Sequence, residues 1–469
     1  MSVANTHYGA SQIKELMSRA CNKSVFFVGI GGINMSSLAH ITRLRGMKVG
    51  GSDRTPSALT ERLAAEGIEI YYEHNAANID GYDMLVYTVA ISEDNPEYVA
   101  ARQKGMPCIS RSDYMGYLMT GYEKRIGISG MHGKSTCTSM CAHALINAEA
   151  DPTVLSGAEL SSMSGAYRVG GDEFFLFEAC EYMDSFLDFN PTVSVILNIE
   201  MDHVDYFKSM DHILRSFHRF AELSGEDGMC VANIDSKNVR EALEGYRGIT
   251  VWFGLSDKAD FRAVNINQSR GCYSFDIMAY GDLFCSVELK VGGYHNIFNS
   301  LACAAALAVS GVSAEDIKRG LESFMGAKRR MEYKGELNGG RVYDDYGHHP
   351  TEVRVTLAGA RDMIEGDGRL FCVFQSHTYS RTAALLGDFA SALELADRVV
   401  ITDIYAAREV DTLGITPELF AECIGEKAMA CHGFHKAAEV LRKELRDGDV
   451  AIVMGAGDVW HTFEYLDLK

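Results

Sequence analysis

Residues 127–136, GISGMHGKST, place three glycines, a lysine and three hydroxyl side chains at the opening of a run, Thr136 to Leu145, that reads as a helix. A glycine-rich turn opening a helix offers backbone N–H groups and the positive end of the helix dipole to an anion. Gly130 and Gly133, with Met131 and His132 between them, let the backbone wrap a phosphate. Lys134 can reach the outer phosphates, and Ser135, followed by Thr136, can place a hydroxyl on a Mg²⁺ that bridges them. The spacing G-x-x-x-x-G-K-[ST] is not met strictly: Ile128 stands where the first glycine belongs, and Gly127 lies one residue early.

Two apolar stretches end in groups suited to a cation. EFFLFE (173–178) terminates in Glu178, with Glu181 close behind, and VSVILNIEMDH (193–203) delivers Asn198, Glu200, Asp202 and His203. Ligands of open parallel sheets bind beyond the carboxyl ends of the strands, where these groups and the loop at 127 would gather. A carboxylate, a serine hydroxyl and an imidazole can organise Mg²⁺, although imidazole is the less usual partner for so hard an ion.

The elements that must position these residues alternate in type. SVFFVGIGGINMSSLAHITRL (24–44) reads as buried strand, glycine-rich turn and helix, and a second strand closes on Gly51, Ser52 and Asp53. That is the opening of a Rossmann-like unit, with an acid after the second strand, though Asn34 stands in place of the third glycine of the fingerprint. Strand-like IEIYY (68–72), MLVYTVAI (84–91) and MPCIS (106–110) follow, with a helix around residues 98–104, and the first domain is expected to end near residue 121. From Gly228 to Lys290 the pattern turns to strands, with a hairpin expected around Gly281-Asp282. An apolar helix at 293–312 and another at 314–325 lead to a third α/β stretch, in which the strands at 371–377, 399–405 and 450–459 each run into polar residues.

Composition bounds the rest. A chain of 469 residues suits two to four domains, and 47% hydrophobic with 23% charged residues describes an ordinary globular protein. A net charge of -20 argues against a nucleic-acid or anionic-membrane partner, but not against an anionic small ligand in a local pocket. The twelve cysteines show no paired metal spacing and fit a cytoplasmic chain. No apolar run approaches the ~18 residues that span a membrane.

Taken in order, GIGGINMSSLA, GISGMHGKST, FEACEYMDSFL, NIEMDHVDYF, GYHNIFN, KRRMEYKGE, DDYGHHPTE, HTYSRT and TDIYAARE resemble the Mur ligases, on the branch that adds alanine. The resemblance implies three α/β domains: a Rossmann-like UDP-sugar domain (1–121), a central ATP-binding domain with a phosphate loop and mostly parallel sheet (122–327), and an amino-acid-binding domain (328–469). It implies ATP-dependent joining of L-alanine to the lactyl carboxylate of UDP-N-acetylmuramate through an acyl phosphate, in peptidoglycan precursor synthesis, by a cytoplasmic monomer or homodimer. Lys134 would hold the outer phosphates, and Ser135, Glu178 and His203 would organise Mg²⁺. His295 and Asn296 would contact the adenine side, and Arg329 or Arg330, with Asp344 and His348, would complete the site. Gly31, Gly32, Ile33, Ser52 and Asp53 would face the UDP-sugar, and Arg381, with Arg408 in reach, the amino acid. Ser216 occupies the place where other branches carry a metal-bridging carbamylated lysine. Departures from the family pattern fall at Asn34, Ser37, Met131, Tyr182-Met183 and Thr378, the last replacing an arginine, so a paralogue using another amino acid is the alternative. A nicotinamide-dependent oxidoreductase would leave the 127–136 loop unexplained, and a binding protein without turnover would not need Lys134, Glu178 and His203 together.

Overall fold

Four apolar residues in succession, Val25 to Val28, leave no polar face, and Ser24–Val28 is accordingly a central strand, β1, buried along its whole length. The structure is a computed structural model that describes the chain outside residues 1–6, 21–22, 89–90, 161–162, 164, 204–205, 270, 365 and 408. Two units make up the chain: Met1–Ala259 with Ala302–Ser313, and Asp260–Leu301 with Ala314–Lys469.

The first unit opens with β1, β2 (Lys48–Ser52), β3 (Glu69–Tyr71), β4 (Met84–Tyr87) and β5 (Cys108–Ser110) in the order β3-β2-β1-β4-β5. Every pairing in this sheet is parallel, so the order reverses between β1 and β4 and opens a crevice at their carboxyl ends. The same unit continues with β6 (Lys124–Ser129), β7 (Thr153–Leu160), β8 (Gly165–Arg168), β9 (Phe174–Glu178), β10 (Val193–Ile196), β11 (Met229–Asn233) and β12 (Ile249–Gly254). Their order is β12-β11-β10-β6-β9-β7-β8, parallel except for the β7–β8 pair, which the sequence did not announce.

In the second unit β13 (Phe261–Ser269), β14 (Cys272–Ala279) and β15 (Asp282–Glu288) form an antiparallel meander. Its second turn corrects the expected hairpin by one residue. Ala279 pairs with Asp282, so the loop is Tyr280-Gly281, and both residues have positive φ (51° and 95°), as a type I′ turn requires. Then β16 (Glu332–Leu337), β17 (Gly340–Asp345), β18 (Leu370–Phe374), β19 (Arg398–Ile401), β20 (Ala428–Ala430) and β21 (Val450–Met454) assemble as β16-β17-β21-β18-β19-β20, with only β16 antiparallel. Among the described residues no helix is long and apolar enough to cross a membrane.

Inside the first unit the helix Arg111–Met119 lies against the segment that follows Glu181. The contact is made at Gly116, where an added Cβ would sit 2.1 Å from the Asp188 carbonyl oxygen, while the Asn190 amide donates to the Gly116 carbonyl at 3.1 Å. Gly→Ala inside a helix ordinarily gains up to ~1 kcal/mol of propensity. Here the added carbon meets backbone that cannot rotate away, and such overpacking costs about 1–3 kcal/mol. Gly116→Ala is therefore expected to lower the unfolding midpoint of the first unit in thermal or urea melts. An unchanged or raised midpoint would show that the two segments separate at no cost.

Candidate active site

Strand β6 is buried up to Ser129, and the chain then turns through Gly130–Gly133 into the helix Lys134–Asn147. That helix starts two residues earlier than the sequence suggested, which puts Lys134 and Ser135 in its first turn. Gly130 (φ 138°) admits no side chain, because a Cβ there would lie 3.0 Å from Leu197 and 3.2 Å from the Asn198 nitrogen; Gly133 caps the helix in the left-handed region at φ 85°. Asn198, just past β10, fastens the turn: its carbonyl accepts the Met131 N–H at 3.3 Å, its side chain accepts the His132 N–H at 2.9 Å, and its amide donates to the His132 carbonyl at 2.9 Å. The Met131 side chain is buried in the core and its N–H is engaged by Asn198. The donors that helix geometry leaves without intrahelical acceptors are those of the first turn, at Lys134, Ser135 and Thr136.

Two of the expected residues converge on a carboxylate that carried no assigned role. Glu181, with 1% of its side chain exposed, lies 3.0 Å from the Lys134 ammonium and 3.3 Å from His203 Nε2. Lys134 also donates to the carbonyls of Gly130 and Met131. Burial alone would lower the Lys134 pKa, but the neighbouring Glu181 charge, aided by Cys180 and Glu178, outweighs it and raises it, so the ammonium stays charged. Burial likewise works to raise Glu181, and the Lys134 charge and the His203 hydrogen bond bring it below the usual range. For His203 desolvation is overcome by Glu181 and Asp202, and the imidazole is shifted upward. Glu178 collects donors of its own: Ser135 Oγ at 3.2 Å, Ser156 Oγ at 3.4 Å and the Gly157 N–H. The only sequence signal for Glu181 was its place three residues after Glu178. Ser216 is buried in the helix Met210–Glu222.

A cavity of about 780 Å³ adjoins this cluster within the first unit, with Arg111, Ser112, Glu178, Tyr182, Asp184 and Arg219 among its walls. Nearby in the same unit, the turn after β1 presents Gly31, Gly32 and an exposed Ile33, which opens the helix Ile33–Leu44. Asp53 accepts the Gly31 N–H at 2.8 Å and the Arg54 N–H at 2.7 Å, so it braces the turn. The Ser52 hydroxyl is fully buried and donates to Glu97 at 2.8 Å, beside His74.

In the second unit Arg329 donates to the carbonyls of Gly455 and Gly457, and both Arg329 and Arg330 lie against the Tyr346 ring at 5.0 and 5.2 Å. His348 bonds back to Tyr346 and stands 6.0 Å, ring to ring, from His377, which stacks on Tyr405. Burial first, then the charges of Arg381 and Arg330, hold His348 below its ordinary range against the pull of Glu352. Thr378 takes φ 65°, ψ 144°, unusual for a β-branched residue, and caps the helix Tyr379–Ala384 that carries Arg381. Its hydroxyl is thereby used to set Arg381, and Arg408 lies outside the described residues. Burial pushes the His295 imidazole down to about 4, which leaves it neutral. Asn296 is buried, and its amide binds the Gly292 carbonyl at one end and Asn299 at the other, bracing the start of the helix His295–Val309.

Asp344 generates a prediction. Its Oδ1 is buried 3.6 Å from Arg329 Nε, and neither atom has a hydrogen-bond partner. Burial, opposed in part by Arg329, pushes this carboxyl up to about 7. A raised carboxyl pKa favours the folded state only while the group keeps its proton, so stability drains as pH rises from about 4 to about 7. Asp344→Asn removes that drain, and its melting advantage over the parent should widen between pH 5 and pH 7 and then level off, by an amount on the order of a few kcal/mol. A difference that stays constant from pH 5 to 8 would show Asp344 ionised throughout.

Comparison with known proteins adds the following. Residues 24–123 match the Mur ligase family, catalytic domain; residues 128–307 the Mur ligase middle domain; and residues 329–457 the Mur ligase, glutamate ligase domain. The UDP-N-acetylmuramate–L-alanine ligase of Clostridium tetani (strain Massachusetts / E88) is 42% identical over 442 residues, 93% of this chain and 96% of that one. The enzyme of the same name from Clostridium novyi (strain NT) is 43% identical over 452 residues, 96% and 98% of the two chains. The crystal structure of UDP-N-acetylmuramate-alanine ligase MurC from Thermotoga maritima shares the fold with a TM-score of 0.77 at 28% identity, covering 94% of this chain and 98% of that one. A chain matched in three successive domains and along nearly its whole length belongs to the Mur ligase family.

Proposed function

We propose that this protein joins L-alanine to the lactyl carboxylate of UDP-N-acetylmuramate at the expense of ATP, as a cytoplasmic step of peptidoglycan precursor synthesis. The observation that carries the chemistry is the cluster at the carboxyl ends of β6, β9 and β10, where Lys134, Ser135, Glu178, Glu181 and His203 meet beside a large cavity. On this reading residues 1–121 hold the UDP-sugar, 122–327 the ATP and 328–469 the amino acid.

The donor set fits Mg²⁺. Ser135 Oγ and Glu178 are hard oxygen donors already 3.2 Å apart, and His203 is tied to the same cluster through Glu181. Ser135, Glu178 and His203 would hold the ion, which when bound neutralises phosphate charge. Lys134 supplies a fixed positive charge to the transferred phosphoryl group, and the first-turn N–H groups of its helix supply dipoles that need no reorganisation. The reaction proceeds in two displacements. The lactyl carboxylate oxygen bonds to the γ-phosphorus as ADP leaves, giving an acyl phosphate. The alanine amine then attacks the acyl carbon, loses a proton and expels phosphate. Such chemistry is mainly positioning and charge neutralisation. Arg381, set by the Thr378 cap, is the cation in the second unit suited to the alanine carboxylate.

Phosphate release with ATP, UDP-N-acetylmuramate and a panel of amino acids tests the reading, and L-alanine should be the preferred amine. A different preferred amino acid would favour a paralogue with shifted specificity. Lys134→Ala should cut phosphate release by orders of magnitude, since such charge stabilisation is often worth about 3–4 kcal/mol in the transition state. Near-parental turnover by a folded Lys134→Ala protein would remove the phosphate-loop assignment.

A further inference from the structure

We infer that Glu181 is a positioning residue that sets His203 for the cation and Lys134 for the phosphate, coupling the two halves of the site; the inference rests on the function proposed above. One oxygen of this carboxylate, Oε1, faces both partners, at 3.2 Å from Lys134 Nζ and 3.3 Å from His203 Nε2. Lys134 comes from the helix after β6 and His203 from the loop after β10, and Glu181 touches both. With Nε2 directed at a carboxylate, the other ring nitrogen is the one presented to a cation. A carboxylate behind a ligating histidine fixes its tautomer and ring direction in just this way.

The residue after Glu181 completes the hold. The Tyr182 ring lies 4.8 Å from the His203 ring, tilted at 46°, so the imidazole is held by Glu181 at Nε2 and packed against Tyr182. Tyr182 is itself backed by Tyr206 at 6.3 Å, whose hydroxyl donates to Asp184 at 2.8 Å. Met183 and Asp184 take φ 55° and 56°, a pair of left-handed residues that swings Tyr182 and Asp184 into this arrangement. A buried ion pair is a poor way to gain stability, because desolvation offsets most of the attraction. A carboxylate buried to 1% exposure between two groups of the site is better explained by what it orients.

The test measures Mn²⁺ affinity by electron paramagnetic resonance in the presence of a non-hydrolysable ATP analogue, for the parent, Glu181→Gln, Glu181→Leu and Glu181→Asp, with melting curves for folding. Loss of an outer carboxylate of this kind commonly weakens metal binding about 10- to 100-fold. Glu181→Leu and Glu181→Gln should fall in that range, and Glu181→Asp should recover part of the loss. The KM for ATP should rise in step, with the KM for L-alanine unmoved. If Glu181 were only a counter-charge to Lys134, the variants would bind the nucleotide analogue more tightly, with Mn²⁺ affinity within about threefold of the parent; that result overturns the inference and leaves the proposed function standing. A parent that takes up no Mn²⁺ with the analogue overturns the metal-nucleotide reading of the site itself.

Discussion

The register of three parallel strands is the constraint on which the site depends. Ile128 of β6 lies opposite Glu178 of β9, and Ser129 opposite Ile196 of β10. The phosphate-loop turn, the Glu178 carboxylate and the Asn198 clamp therefore leave the sheet at the same level. A slip of one residue would turn each side chain to the opposite face and dissolve the cluster. The slip is prevented by burial: β6, β9 and β10 carry Ile126, Ile128, Phe175, Phe177, Val195 and Ile196 into the core, all fully buried. Catalytic geometry here is a by-product of apolar packing.

Onto that frame the chain adds charge with close internal accounting. Lys134 is balanced by Glu181, and Glu178 is met by hydroxyl and backbone donors instead of a cation. In the second unit the guanidiniums of Arg329 and Arg330 lie on an aromatic ring and Arg329 also meets carbonyls, which keeps Asp344 short of a close partner, so that burial raises its pKa against only part of the Arg329 charge. Strained backbone is placed at the same edges: Met183, Asp184, His203, Arg329 and Thr378 all have positive φ.

How much of this was legible in the sequence depends on the range over which each feature is decided. The loop with Lys134 and Ser135 was legible because strand, glycine turn and helix follow each other within a few residues, and the placing of Glu178 and His203 because each follows an apolar run that reads as a strand. The α/β alternation was legible for the same reason. Glu181 was not, because its partners sit 47 residues before it and 22 after it, and only strand register brings them together. The internal bonds of Ser52 and Asn296 were hidden for a related reason: the partners of a polar residue at a strand end or helix start are not set until the side it faces is known. The one-residue error at Tyr280-Gly281 came from reading glycine as the first turn residue, when a tyrosine forced to positive φ fills that place. Thr378 looked like the loss of a cation, whereas its hydroxyl and its backbone serve the helix that holds Arg381.

The charge balance of the first-unit cluster bears on which form of nucleotide it suits. Lys134 against Glu181 and Glu178, with His203 shifted upward, leaves no large positive excess, in a chain of net charge -20. A polyphosphate arriving without a cation would meet two carboxylates at short range, where the effective dielectric is low and like charges repel by several kcal/mol at ~4 Å. The same polyphosphate carrying a divalent ion presents positive charge to Glu178 and anionic oxygens to Lys134 and the helix N-terminus. On the proposed function, Glu178 and Glu181 therefore discriminate against the bare nucleotide as much as they assist the metal-bound one. On the proposed function, the acidic residues around this lysine do not count against a phosphate loop there: they would make it selective for a nucleotide that brings its own cation.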